Sequence, residues 1–344
     1  MERLDSKSQT LPELRQWLAG IGEPEYRGGQ VYDWLHRRGA REFMEMSNLP
    51  MALRAKLQEN AYINSIKIKK KLVSGVDGTV KYLYELEDGN CIETVLMRYR
   101  HANSLCISTQ VGCRMGCTFC ASTLGGLVRN LTPAEMLDQI YAAQADEGLR
   151  VGSLVLVGIG EPLDNFDNVL RFLRILSSPE GINLSLRHVS LSTCGLADRI
   201  RELARCKLGL TLSVSLHAPT DALRSRTMPV NKKWPLAELI DACREYFALT
   251  GRRISFEYAL IDGVNDSPEH AARLAALLAG LPCHVNLIPM NEVRETGYRR
   301  STGERIQSFR RRLEKGGVTV TVRRELGGDI SAACGQLRRE SAGT

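Results

Sequence analysis

The spacing of apolar positions divides the chain into three stretches with different periods. From residue 1 to about 62 the repeat is helical. Apolar positions recur every three or four residues from Leu11-Pro12-Glu13-Leu14 and from Val31-Tyr32-Asp33-Trp34-Leu35, with breaks expected at Gly22 and at Gly28-Gly29. A third helix is expected after Asn48-Leu49-Pro50. From Ile63 to Tyr99 the period falls to two: Ile66, Ile68, Val73, Val80, Tyr82, Tyr84 and Leu86 alternate with polar residues, and Asp77-Gly78 and Asp88-Gly89 supply hairpin turns. Beyond Ser104, apolar runs of strand length at 153–158, 188–193, 210–215, 254–261, 285–289 and 318–322 are separated by helical patterns. Thr132-Pro133-Ala134-Glu135 offers an N-cap, a proline at the first helical position and a capping-box glutamate, with Gly148 placed to end that helix. Ser301-Thr302-Gly303-Glu304 opens a later helix in the same way, ahead of Gly316-Gly317. Repeated βα units make a parallel sheet covered by helices, closed or half closed into a barrel. The class is therefore α/β, in three units: a helical unit at 1–62, a β-hairpin connector at 63–100, and a core at 101–344 ending in a basic segment.

Composition narrows the picture. At 344 residues, 43% hydrophobic and 25% charged, the chain has the balance of a globular protein. It contains no run of eighteen apolar residues, and Met1 to Thr10 is polar, so neither a membrane span nor a secretory signal is expected and the location expected is cytoplasmic. Ten cysteines in that compartment are expected to be reduced, metal-bound or transiently redox-active. The net charge of +7 is concentrated near one end: from Arg299 to Thr344 eleven Arg and Lys stand against five Asp and Glu. Arg310, Arg311 and Arg312 alone read as a solvated helix face; with Arg299, Arg300, Arg323, Arg324, Arg338 and Arg339 they read better as a surface for phosphate. Lys67, Lys69, Lys70 and Lys71 either touch phosphate or protect an exposed strand edge. Tyr26, Tyr32 and Trp34, interleaved with Arg27, Arg37 and Arg38, either contact RNA or form the core of the helical unit.

The strongest chemical signal is the run from Cys106 to Cys120. Cys113, Cys117 and Cys120 have C-x3-C-x2-C spacing, which wraps one loop around a cuboidal cluster and presents three thiolates. A [4Fe–4S] cluster needs four ligands, so one iron stays open to a substrate or cofactor. A structural zinc site needs a fourth ligand, and the nearby His101 lies on the wrong side of the loop. Parallel barrels place their chemistry where strands end. There the chain reads Gly158-Ile159-Gly160-Glu161-Pro162, Ser192-Thr193-Cys194-Gly195, Ser215-Leu216-His217-Ala218 and Met290-Asn291. The glycines let backbone amides approach a ligand, and Glu161, Ser192, Ser215 and Asn291 are suited to hydrogen-bonding a nucleoside and an amino-acid moiety. His217 is either a packed histidine or a ligand contact. Nothing in the strand periodicity marks Glu93 as special.

The three-cysteine motif resembles that of the radical S-adenosylmethionine (SAM) superfamily. Together with these turns, with Cys106 seven residues earlier, and with Asp329-Ile330-Ser331-Ala332-Ala333-Cys334-Gly335-Gln336-Leu337, it resembles the RlmN/Cfr family of radical SAM RNA (adenine) methyltransferases over nearly the whole chain. The resemblance implies a partial (β/α)6 barrel and a [4Fe–4S] cluster on Cys113, Cys117 and Cys120. It also implies SAM bound by Gly160, Glu161, Ser192, Ser215, Leu216, His217 and Asn291, with two SAM consumed per methylation. In the implied chemistry Cys334 carries a methyl group taken from one SAM, and a second SAM is cleaved reductively at the open iron. The activated methyl carbon then adds to the adenine ring, joining enzyme and RNA. Glu93, or else Cys106, accepts the ring proton, and Cys106 attacks the Cys334 sulfur, leaving a transient disulfide for an external reductant. Pro162 after Glu161 resembles the C2-methylating branch, the C8 branch typically having alanine there. Pro289-Met290-Asn291-Glu292-Val293 departs from the tryptophan and proline found in many members, which puts local RNA contacts in doubt but not Asn291. The implied targets are an adenosine in the peptidyl-transferase region of 23S rRNA and, in some members, one beside the tRNA anticodon. The implied electron donor is a flavodoxin or ferredoxin system, and the chain is expected to be a monomer. C8 methylation, a radical SAM enzyme of another class and a zinc-holding RNA-binding protein are the competing readings.

Overall fold

The computed structural model describes residues 3–290 and 297–330. The alternating segments in the middle of the chain form a ten-stranded mixed sheet. Its antiparallel part is β3 (Lys67–Val73), β4 (Val80–Glu85) and β5 (Cys91–Arg98), the last of which pairs antiparallel with β6 (Asn103–Cys106). From β6 onward every neighbour is parallel, through β9 (Val151–Leu156), β10 (Val189–Thr193), β11 (Thr211–Ser215), β12 (Ile254–Leu260), β13 (Cys283–Pro289) and β14 (Thr319–Val322). The spatial order β14-β13-β12-β11-β10-β9-β6-β5-β4-β3 follows the sequence and has two edges, so the barrel is open. Six barrel strands, β6 and β9–β13, are extended by β14 at one side and by the hairpins at the other. Two small pairs stand apart: β1 (Leu4–Asp5) with β2 (Ala61–Tyr62), and β7 (Gln110–Gly112) with β8 (Leu127–Asn130).

Between the parallel strands lie α4 (Pro133–Glu147), α5 (Phe166–Ser177), α6 (Ala197–Arg205), α7 (Asp221–Thr227), α8 (Leu236–Thr250), α9 (Pro268–Leu277) and α10 (Gly303–Lys315). On α5 the buried positions Phe166, Val169, Phe172, Leu173 and Leu176 fall three and four apart, the stripe that lets a helix cover a sheet. The cap of α4 forms as the sequence predicts: Glu135 N donates to Thr132 Oγ1 at 3.2 Å, Thr132 N donates to Glu135 Oε2 at 2.9 Å, and Gly148 ends the helix at φ 59°. At α10 the cap differs. Thr302 accepts from Arg305 N rather than sharing a box with a glutamate, because Ser301 is buried and donates to Asp266.

The helical unit comprises α1 (Leu11–Gly20), α2 (Tyr26–Asp33) and α3 (Met51–Asn60), the last starting after Pro50 as expected. The expected break at Gly28-Gly29 does not occur, since α2 runs through both. A Cβ at residue 28 would sit 2.5 Å from Arg15 Cγ, so that glycine serves close packing of α2 on α1. Tyr32 is fully buried with Leu14, Leu18 and Leu57, whereas Tyr26 is exposed with the Arg27 guanidinium 4.9 Å above its ring. The unit is fastened to the barrel by a buried Lys7–Asp138 pair at 2.6 Å, with Asn64 Nδ2 donating to the same carboxylate at 2.7 Å. On the edge strand β3, Lys69 pairs with Glu85 and Lys71 with Asp146 and Glu147, as edge protection requires.

Candidate active site

A cavity of about 170 Å³ opens where β9, β10 and β11 end. Its first wall is the cysteine loop. The β7–β8 ribbon closes that loop at its base, where Cys113 N donates to Gly126 O at 2.9 Å. Gly112 is required there: at φ 80° a Cβ would collide with the Gly126 carbonyl oxygen. Farther along, Thr123 Oγ1 donates to the carbonyls of Cys117 and Cys120, and Thr118 N donates to Thr227 O at 2.9 Å, tying the loop to α7. Cys113, Cys117 and Cys120 all line the cavity. Burial pushes the Cys113 thiol up to about 12 and raises Cys117 as well, with the neighbouring cysteines adding to the latter. Such thiols ionise when a bound cation stabilises the thiolate. Among the described residues no three His, Cys, Asp or Glu side chains converge on one ion. Three sulfurs spread around one cavity fit a group that takes sulfur at separate points, as an iron–sulfur cluster does.

The opposite wall carries the turn residues. Gly160, Glu161, Ser192, Ser215 and His217 line the cavity, whereas Leu216 is fully buried in the main core. Glu161 is more than a ligand contact: its carboxylate accepts from Leu163 N at 3.0 Å and Cys194 N at 2.7 Å, joining the turn after β9 to the turn after β10. Burial raises its pKa and these amides oppose the rise. The glycines also serve close packing of the turns. A Cβ at residue 158 would lie 2.5 Å from Ile107 O, and one at residue 160 would lie 2.6 Å from Gln110 Cβ, so both let the turn close on its neighbour strand. His217 adopts φ 53°, and its Nδ1 accepts from Ala259 N at 2.9 Å. Accepting at Nδ1 assigns the ring proton to Nε2, and burial, helped by the Arg224 charge, holds the imidazole pKa down to about 3. A neutral N–H donor thus borders the cavity, with Phe119 edge-on to the ring at 5.1 Å.

Arg224 was not legible in the sequence. Its side chain is 0% exposed and donates to the carbonyls of Cys194, Ser215 and Leu216, holding the ends of β10 and β11 together. Arginine on a short helix carries no signal for such a role.

Cys106 lies next to a residue of this cavity wall, and Glu93 shares its face of the sheet. The β5–β6 register sets Val95 opposite Cys106, so Glu93, two residues from Val95, shares the same face of the sheet. Cys106 is buried against Val95 and Met97, and Val157 both packs on this group and lines the cavity. Glu93 is buried with its Oε2 3.2 Å from Nζ of the equally buried Lys81 on β4. Lys81 was also missed, because a lysine in an alternating strand reads as solvent-facing. Asn291 and Cys334 lie outside the described residues, and so does the expected Cys106–Cys334 pairing. Among the described residues no disulfide joins two cysteines.

A second cleft, of about 730 Å³, separates the helical unit from the barrel and is lined by Arg37, Arg38, Arg41, Lys67 and Arg150, among others. The arginines toward the C-terminus are partly engaged: Arg300 pairs with Glu325, Arg305 with Asp262, and Arg310 with Glu314, while Arg311 and Arg312 are exposed and Arg338 and Arg339 are outside the described residues.

An open α/β barrel with a three-cysteine loop over its strand ends defines a class, and the comparisons agree with it. Residues 107–275 match the model of the radical SAM superfamily, to which the chain belongs. Residues 7–63 match the ribosomal RNA large subunit methyltransferase N-terminal domain. A protein of Alkaliphilus oremlandii is 54% identical over 340 residues, 99% of each chain, and one of Lachnoclostridium phytofermentans is 52% identical over 338 residues, 98% of this chain and 95% of the other. Both are described as probable dual-specificity RNA methyltransferase RlmN. The crystal structure of a radical SAM methyltransferase from Sphaerobacter thermophilus superposes with a TM-score of 0.92 at 44% identity, covering 97% of this chain and 98% of that one. Within the superfamily the chain is a member of the RlmN family. That membership implies a [4Fe–4S] cluster and SAM.

Proposed function

We propose that this chain methylates C2 of an adenosine in 23S rRNA and the adenosine beside the anticodon of tRNA. The observation that carries this reading is the placement of a buried carboxylate, Glu93, and a buried thiol, Cys106, on one sheet face that borders the three-cysteine cavity through Val157. Adenine C2 is an electron-poor sp² carbon and a poor nucleophile, so direct attack on a SAM methyl is closed and cofactor-borne radical chemistry is needed. The cluster would be held by Cys113, Cys117 and Cys120, and SAM by Gly160, Glu161, Ser192, Ser215, Leu216, His217 and Asn291. When bound, the cluster supplies the electron that cleaves SAM, and SAM supplies both the methyl group and the hydrogen-abstracting radical.

The chain's own residues do the rest. Cys334 carries the methyl carbon on sulfur to the ring. Glu93 accepts the C2 proton, the odd electron left on the ring being one that a cluster held by Cys113, Cys117 and Cys120 would take back, and Lys81 holds the Glu93 carboxylate in place. Cys106 attacks the Cys334 sulfur; the sulfur–carbon bond breaks with its electron pair leaving on carbon, a proton completes the methyl group, and the two cysteines are left as a disulfide for an external reductant. His217 and Glu161 shape the cavity rather than move protons. Residues 1–62 act as an RNA-binding accessory domain, 63–100 as a connector and 101–344 as the catalytic core, in a cytoplasmic monomer served by a flavodoxin or ferredoxin. The basic cleft beside the helical unit supports RNA as substrate. Among the described residues no helix is long and apolar enough to cross a membrane.

Mass spectrometry of nucleosides from RNA incubated with enzyme, SAM and reductant tests the assignment. 2-Methyladenosine is expected; 8-methyladenosine without the 2-methyl isomer would move the chain to the other branch, against Pro162.

A further inference from the structure

β14 and β3 are the two edges of the open sheet, yet the chain that leaves β14 is fastened to the turn that follows β3. Two carboxylates make the fastening, one from each side. Ser74 Oγ donates to Asp329 Oδ1 at 2.7 Å and Gly75 N donates to Asp329 Oδ2 at 3.0 Å. In return Gly327 N donates to Asp77 Oδ2 at 2.8 Å, while Thr79 N donates to Asp77 Oδ1 at 2.9 Å. The Gly327 amide is the foremost cause that holds the Asp77 carboxyl down to about 2. Between the edges, Leu326 packs against the group formed by Val95, Met97 and Cys106. Residues 323–330 therefore run as a strap across the mouth of the barrel, over the face that carries Cys106 and Glu93.

We propose that the β3–β4 turn is a latch for this strap, with Ser74, Asp77 and Asp329 as positioning residues that set where the chain bearing Cys334 starts. The inference rests on the reading of Cys334 as the methyl carrier. Cys334 is the fifth residue after Asp329, and five residues of chain span at most about 18 Å. Pinning residue 329 thus shortens the tether by which the described chain carries Cys334. Without both carboxylate pins the next restraints on the strap are the packing of Leu326 on Val95, Met97 and Cys106 and the Glu325–Arg300 pair, eight and nine residues before Cys334, and the permitted radius grows by about 1.6-fold. A 1.6-fold larger radius is about a fourfold larger volume, and loss of alignment adds to that, so methyl delivery should slow by about 4- to 40-fold.

The test uses the full-length, iron-loaded enzyme with Asp329→Ala, Asp77→Ala, the two together, and the conservative Asp329→Asn, which still accepts the Gly75 N–H. Amide exchange at Gly327 reports the latch itself. Methyl occupancy of Cys334 by peptide mass spectrometry, kcat for RNA methylation, iron content and reductive SAM cleavage without RNA report its role. The expected result is faster Gly327 exchange wherever Asp77 is replaced, kcat lowered by about 4- to 40-fold in the double alanine variant and less in each single one, iron content and SAM cleavage unchanged, and substantial recovery when Asp329→Asn stands in place of Asp329→Ala. Unchanged kcat in the double alanine variant, with its Gly327 amide labile, overturns the proposal, as does Gly327 exchange that is equally fast in all forms. A wild-type enzyme that turns over without methyl on Cys334 instead removes the methyl-carrier reading, and is recognised by that peptide alone.

Discussion

Replacing Lys81 by Met should be more damaging than its place on a hairpin strand implies. The Lys81 side chain is 0% exposed and its ammonium lies 3.2 Å from Glu93 Oε2, which is also buried. Methionine matches the stem in length and fills the space, so packing loss is small. What is lost is the Lys81 ammonium from a buried ion pair, a change that costs about 3–5 kcal/mol. Unfolding entropy of about 2.1 cal/mol/K per residue gives about 0.7 kcal/mol per degree for a chain of this length, so the melting temperature should fall by about 4–7 °C. Glu93→Gln should also destabilise, by leaving the ammonium buried. The double variant removes both charges and should recover most of the loss, giving a coupling energy of about 2 kcal/mol or more in a double-mutant cycle by urea unfolding. It should nonetheless stay inactive, because Glu93 is the proposed proton acceptor. Additive losses, with the double variant the least stable of the three, would show that the pair is not coupled and would refute the reasoning.

Other outcomes follow from single features. His36, which is buried with Nδ1 on the Tyr141 hydroxyl, and His217 both have pKa values lowered by burial from 6.5 to about 3, so the unfolded chain binds more protons than the folded one between those values. Stability is therefore expected to fall as pH drops below 6.5, by about 2 kcal/mol per histidine at pH 5, and urea midpoints of His36→Gln should show a shallower acid slope. Gly112→Ala should spread the base of the cysteine loop and lower iron per chain in anaerobic preparations while leaving far-UV circular dichroism intact; full iron content would contradict the loop geometry. RNA affinity should fall steeply with salt, and charge reversal of Arg41, Lys67 and Arg150 should flatten that dependence more than reversal of Arg310, Arg311 and Arg312, one of which is already paired with Glu314. Equal effects from both sets would return the cleft to an ordinary solvated surface.

Much of the architecture was legible because local periods and global fold agree. The parallel strands, the α4 cap and the start of α3 all lie within a residue or two of where apolar spacing, Thr132 and Pro50 place them. Gly28 misled because a glycine inside a helix looks like a break unless the partner helix, here at Arg15, is known. The three cysteines were legible since their chemistry depends on spacing within one loop. Arg224 and Lys81 were not, because each works through partners far apart in sequence or across a strand pair, and burial of a charge leaves no mark on its neighbours along the chain. The latch of Asp77 and Asp329 was hidden for the same reason: the turn was visible in Asp77-Gly78, but its partner lies about 250 residues later.

The most direct measurement concerns Cys106, which is buried beside Val95 and Met97 and carries the proposal that two cysteines of this chain deliver and release the methyl carbon. Cys106→Ala, incubated with SAM, reductant and RNA, should accumulate a covalent protein–RNA adduct through Cys334, seen as a slowly migrating species on a denaturing gel and lost when Cys334→Ala is added. If Cys106→Ala instead turns over at near wild-type rate, or the double variant still forms the adduct, then Cys106 is only a buried thiol and the two-cysteine account is wrong for this protein.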